Sequence, residues 1–256
     1  MTESQTGTGF YGKVPVLGDF IDRRLSKVFI EYLDEWLQGG MAHSRESLGE
    51  GWLNQYLTSP VWRFSLSPGI CDQQSWLGVM IPSVDKVGRY FPLLVAIPHR
   101  LAVPPVHSFQ VFGTWFDKAA ALALTSLEDG FQVTEFDSAL ASLELPVAAA
   151  SGQRRQPGGI DPVAETGWRY EVGDLDCLPD LYPYLIQDLI GELYPAHSTW
   201  WAGGSQSMGP SLLICQGLPS QRSFTALVSG NWVDSGLRDL GFSFPGQPGE
   251  STQHSE

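Results

Sequence analysis

The chain alternates between stretches whose apolar side chains repeat every three or four residues and stretches where they repeat every two. Leu25, Val28, Phe29, Tyr32, Leu33, Trp36 and Leu37 follow the first pattern and predict a helix over about 24–38. Gly39 and Gly40 are expected to stop that helix. Ser44 can then cap a second one over about 45–57, with Leu48, Trp52, Leu53 and Tyr56 on one side. In 61–66, Trp62, Phe64 and Leu66 alternate with Val61, Arg63 and Ser65, the period of a half-buried strand. Residues 76–81 and 93–97 are short, continuous apolar runs, as in strands covered on both faces. Turn residues Ser67-Pro68-Gly69 and Val87-Gly88 separate the three. The links are too short for a crossover helix, so an antiparallel meander is the simplest connection.

Further on, Val111, Phe112, Trp115, Phe116, Ala119, Leu122 and Ala123 form one stripe and predict a helix over about 108–127. A strand is expected at 131–136 and a flexible Gly/Pro-rich loop at 146–162. Another helix is expected over about 180–193, then strands near 198–202, 211–215 and 224–228. Residues 1–8 and the tail from Phe244 read as disordered. Helices and runs of strands come in blocks rather than strict alternation. That order favours an α+β fold over about 9–243, a single domain with a mainly antiparallel β-sheet flanked by α-helices.

Charge and cysteine content narrow the chemistry. The net charge is −13, and it is uneven: residues 1–100 hold 9 Lys/Arg against 10 Asp/Glu, residues 101–256 hold 6 against 18. Such a surface repels phosphate backbones, so nucleic acid is not an expected partner. Cys71, Cys177 and Cys215 are odd in number and lack metal or disulfide spacing, which fits buried thiols in a reducing compartment. There is no leader-like N-terminal pattern and no apolar run of about 20 residues, so a cytoplasmic location without membrane insertion is expected.

Several motifs suggest chemistry without completing it. Gly7-Thr-Gly9-Phe-Tyr-Gly12-Lys13 matches GxGxxG and the start of GxxxxGK, but polar residues precede it. Val14 stands where a Ser or Thr would hold magnesium, and Pro15 follows. The five histidines show no HExxH pattern. Ser207 lies one glycine short of a nucleophile elbow, because position 205 is Ser. No cofactor, metal or small-molecule substrate is therefore expected, and the chain reads as a non-enzyme. Two segments remain open between structural and recognition roles. Ser83 to Pro92 mixes charges, glycine and aromatics, and it is either a hairpin with an internal Asp85–Arg89 contact or a recognition loop. Of Trp200-Trp201, one side chain can anchor a partner if no helix covers it.

These same segments carry a family resemblance. Gly9-Phe-Tyr-Gly-Lys-Val-Pro-Val-Leu-Gly-Asp-Phe20 with Arg23-Arg24-Leu25 resembles the N-terminal signature of TagF proteins, also called ImpM-like. Pro60-Val-Trp-Arg-Phe64, Trp76-Leu-Gly-Val79, Pro82-Ser-Val-Asp85, Val87-Gly-Arg-Tyr-Phe-Pro92 and Trp115-Phe116 extend it, with later echoes at Ser198-Thr-Trp-Trp201 and Gly230-Asn-Trp232. The resemblance implies a post-translational repressor of bacterial type VI secretion that binds the forkhead-associated (FHA) scaffold protein. Some relatives are fused to a PP2C-type phosphatase, and that activity is not expected here, since the sequence ends at Glu256. A structural assembly factor of the same machine is the alternative, and a hydrolase with an unrecognised site a third reading. For the partner surface the candidates are Lys13, Asp19, Arg23, Asp85, Arg89, Trp200 and Trp201.

Overall fold

The computed structural model describes residues 7–100, 103, 105–146, 178–238 and 240. Strand β1 (Gly9–Gly12) and β2 (Ile21–Arg23) open the chain, followed by helix α1 (Lys27–Leu48), a 3-10 turn and α2 (Trp52–Leu57). Strands β3 (Trp62–Leu66), β4 (Ser75–Ile81) and β5 (Leu93–His99) come next. Helices α3 (Ser108–Val111), α4 (Gly113–Thr125), α5 (Val133–Ala141) and α6 (Leu178–Leu193) precede β6 (His197–Ala202), β7 (Ser211–Gln216) and α7 (Gln221–Ser229). The strands form one sheet in the order β2-β1-β5-β4-β3-β6-β7, antiparallel at every pairing. The α+β class and the β3–β4–β5 meander agree with the sequence reading.

Period-two side-chain alternation sends each strand's residues into two cores. On one face Tyr11, Phe64, Trp76, Leu94 and Trp200 pack beneath α1, α2 and α7. On the other, Phe10, Leu77, Val79 and Val95 pack against Trp115 and Phe116 of α4 and Phe136 of α5. The apolar runs in β4 and β5 are thus covered on both sides.

Five expectations are corrected. Gly39-Gly40 does not stop α1, which runs on to Leu48. A Cβ on Gly40 would sit 2.4 Å from Phe224 of α7, so the missing side chain lets two helices meet closely. Ser44 is consequently no cap; it is buried inside α1, accepting from Trp52 Nε1 at 3.0 Å. The helix expected over 108–127 is broken at Phe112 into α3 and α4. Residues 131–136 are not a strand: α5 begins at Val133, and Phe136 and Leu140, four apart, are buried. Residues 224–228 are likewise helical, because Ser220 caps α7 by accepting from Ser223 N, and Phe224, Leu227 and Val228 then share its buried side. The loop expected at 146–162 lies, apart from Pro146, outside the described residues, as do residues 1–6 and the tail from Phe244.

Candidate interaction surface

The register places two loops side by side. Gly12 pairs with both Ile21 and Leu93, and Ile81 also pairs with Leu93. The β1–β2 loop (13–20) and the β4–β5 loop (82–92) therefore leave the same end of the sheet on adjacent strands. Bare glycines allow that approach: a Cβ on Gly12 would lie 2.1 Å from the Pro92 carbonyl oxygen, and one on Gly9 2.3 Å from that of Arg23. The glycine motif thus serves close strand packing rather than a phosphate cradle.

A buried carboxylate joins the loops. Lys13 Nζ donates to Asp85 Oδ2 at 2.8 Å and Arg89 Nε to the same oxygen at 2.7 Å. Oδ1 accepts from the backbone N–H groups of Val87 at 3.0 Å and Arg89 at 2.8 Å. The Arg89 guanidinium also donates to the Gly18 carbonyl, and Lys86 N to that of Leu17 at 2.9 Å. Ser83 Oγ donates to the Lys13 carbonyl at 2.8 Å, while Tyr56 exchanges two hydrogen bonds with the Ser83 backbone. Burial alone would raise the Asp85 carboxyl. The bonds from Lys13, Arg89 and Val87 outweigh it and hold the group well below the usual carboxylate range. Four donors on two oxygens fix this loop as an Asx-type turn.

The clasp presents a mixed outer surface. Val16, Phe20 and Val87 are exposed apolar residues, Val87 to 68%. Phe20 stacks on Tyr11 at 5.7 Å and meets Phe91 edge-on at 4.9 Å, with Lys13 Nζ 4.9 Å above its ring. Asp19, Lys86 and Arg89 provide charge around them. Arg23 is exposed on β2, its Nε 4.0 Å from Asp137 of α5.

The proposed residues therefore divide. Asp19 and Arg89 lie at this end of the sheet and reach solvent, whereas Arg23 is exposed at the far end of β2, paired with Phe10 and away from the loops. Lys13 and Asp85 are buried, and they position the loops instead of touching a partner. Trp200 is a correction: its side chain is 0% exposed, set among Phe64, Trp36 and Ser198, as an inward β6 position requires. Trp201 points to the opposite face, half-covered by Phe116 at 4.6 Å and Phe109 at 5.6 Å. Strands β4 and β3 separate β6 from the clasp, so the tryptophans do not join this surface. Val16, Phe20 and Val87 escaped the sequence reading; their one signal is apolar residues beside glycines in segments too short to be buried strands.

Ser207, the near-match to a nucleophile elbow, faces Ser205, their Oγ atoms 3.4 Å apart. His197 instead lies against the Tyr194 carbonyl at 3.0 Å and Gln187 at 3.3 Å. Among the described residues no helix is long and apolar enough to cross a membrane.

Fold and clasp together define an α+β sheet scaffold that carries a preset loop surface at one end. Its lineage is given by residues 9–143, which match the model of the TagF N-terminal domain, type VI secretion system-associated, and the chain belongs to that family. The crystal structure of PA0076 from Pseudomonas aeruginosa PAO1 is similar, with a TM-score of 0.73 at 32% identity over 94% of this chain and 100% of that one. No curated protein matches the chain. It is an accessory protein associated with type VI secretion.

Proposed function

We propose that the protein acts by binding and not by catalysis, restraining type VI secretion in the cytoplasm by holding the FHA-domain scaffold on the clasped loops. The observation that carries this reading is the Lys13–Asp85 pair, whose side chains are 6% and 0% exposed. A buried ion pair adds little net stability, but it can select one arrangement over others. Here it fixes two loops whose outer side chains remain open to solvent, which lowers the ordering cost of binding. An interface centred there would bury on the order of 1,200–2,000 Å² in total.

Calorimetry with the unphosphorylated scaffold tests this. Binding at micromolar affinity or tighter is expected, and Val87→Asp should weaken it about thirtyfold or more. Absence of binding up to about 100 μM would sink the scaffold reading. Overproduction separates a repressor, which silences secretion, from an assembly factor, which leaves it unchanged or raises it.

A further inference from the structure

The clasp differs in charge from the chain that carries it. Loops 13–20 and 82–92 hold Lys13, Lys86 and Arg89 against Asp19 and Asp85, three cations against two anions in a chain of net charge −13. The next charges along β2, Asp22 and Arg23, cancel. Asp34 of α1, which Tyr11 touches, already accepts from the Tyr11 hydroxyl at 2.5 Å and from Gln38 Nε2 at 2.6 Å. Asp85 is 0% exposed and engaged by Lys13 and Arg89, so the charges that the two loops show to solvent are Lys86, Arg89 and Asp19. Arg89 is aimed as well as exposed. Its side chain is 58% exposed, yet Nε–H is fixed on Asp85 Oδ2 and one terminal N–H on the Gly18 carbonyl. A guanidinium has five N–H groups in one plane, so three remain, and they have no partner among the described residues. The bond to Gly18 sets this open edge at the Phe20 end of the β1–β2 loop. On the other side of Val87, the backbone of Lys86 is tied to Leu17, and its ammonium has no partner among the described residues. The apolar patch of Val16, Phe20 and Val87 is therefore bordered by a preset guanidinium edge and a free ammonium.

We propose that the clasp reads an acidic motif: an apolar side chain of the partner seats on Val87 and Phe20, and a neighbouring Asp or Glu carboxylate of the same segment takes the open N–H edge of Arg89, with Lys86 beside it. This deepens the proposed function and rests on the clasp being the binding surface. A carboxylate fits the edge better than a phosphate does. Parallel N–H groups of one guanidinium match its two oxygens, and holding the guanidinium in place beforehand leaves little freedom to lose. A phosphoryl group of nearly two charges is read by clusters of Arg. Here a single guanidinium stands in a chain of net charge −13.

The test follows backbone amide resonances of the isotope-labelled full chain as three short synthetic peptides are added. All share a Leu-X-Phe-X core, with X as Glu, Gln or Lys. The Glu peptide should move the Phe20, Val87 and Gly88 resonances, and bind less tightly as salt rises. The Gln peptide should bind about tenfold more weakly, and the Lys peptide should not bind. Lys86→Glu should weaken the Glu peptide about fivefold. Asp19→Asn, which keeps the side-chain oxygen that accepts from Phe20 N, should tighten it. Both variants keep the rest of the parent spectrum. Equal affinity for the three peptides, binding of none, shifts confined to other surfaces, or indifference to Lys86→Glu overturns the proposal. So does a phosphoserine peptide that binds about tenfold tighter than the Glu one, which would assign the Arg89 edge to a phosphoryl group. A dimer in sedimentation velocity that Lys86→Glu abolishes overturns it too, because the acidic segment would then be a second copy's. Scaffold binding reads out separately. Glu-peptide binding without scaffold binding removes the scaffold and keeps the acidic motif, whereas scaffold binding unmoved by salt and by Lys86→Glu does the reverse.

Discussion

Adjacent glycines in α1 make opposite predictions from the same substitution. In a helix interior, Gly→Ala stabilises by about 0.5–1 kcal/mol through backbone entropy alone. At Gly39 the new Cβ would meet only the Gln221 side-chain amide, at 2.9 Å, which can swing away. At Gly40 it would lie 2.4–2.7 Å from three atoms of the Phe224 ring. Carbon atoms rest about 3.5–4.0 Å apart, so an overlap of more than an ångström must be relieved. Phe224 is 1% exposed and braced by Trp36 at a ring distance of 5.1 Å, so α7 itself has to shift. Overpacking of that kind costs about 1–3 kcal/mol, which exceeds the propensity gain. Gly39→Ala should therefore stabilise by about 0.5–1 kcal/mol, and Gly40→Ala should destabilise by about 0.5–2 kcal/mol. At roughly 2–4 °C per kcal/mol for a chain of this size, the melting temperatures should differ by several degrees. Urea titrations followed by tryptophan fluorescence give the same comparison as midpoints. Equal stabilisation by both would refute the Gly40–Phe224 contact; equal destabilisation would mean that α1 does not run through the pair.

Two more outcomes follow from buried side chains. Trp200→Ala should cost about 3–5 kcal/mol in urea unfolding, far more than an exposed interface residue would. Burial pushes the Cys71 thiol up to about 12 and Cys215 up to about 11. Only the thiolate reacts, so the rise lowers the reactive fraction at pH 8, partly offset by the greater nucleophilicity of the rarer thiolate. In a Cys177→Ser variant, Ellman's reagent should label the folded protein roughly twenty- to sixtyfold more slowly than the urea-unfolded chain, accelerating as pH rises toward 11. Comparable rates in the two states would contradict the assigned burial.

The strands that the sequence reveals are those with one dominant pattern. Alternation in 62–66 and the apolar runs of β4 and β5 each match a single period. Segments 131–136 and 224–228 mislead because Val133, Thr134, Phe224 and Val228 favour extended backbone locally, whereas burial of Phe136 with Leu140, and of Phe224 with Leu227, selects helix. Strands β1 and β2 are only four and three residues long, too short for a period to register. Half of the clasp was legible: Asp85 and Arg89, four apart in one hairpin, do pair. Its other half was not, since Lys13 lies 72 positions from Asp85 and meets it only because β1 joins the sheet beside β5. Trp200 and Trp201 could be told apart as opposite-facing, but which face was the covered one depended on α1 and α7.

The strand order has a consequence for anyone dividing this chain. The family-matched stretch, 9–143, supplies β1 to β5, an unbroken block that ends at β3. Expressed alone, it would present β3 as a raw edge of unpaired amides and carbonyls, and it would strip β6 from beside Phe64 and α7 from above Trp62 and Gly40. Such a fragment would be five strands of a seven-stranded sheet, prone to pairing with its own copies, and the boundary read from the family match is not a place to cut.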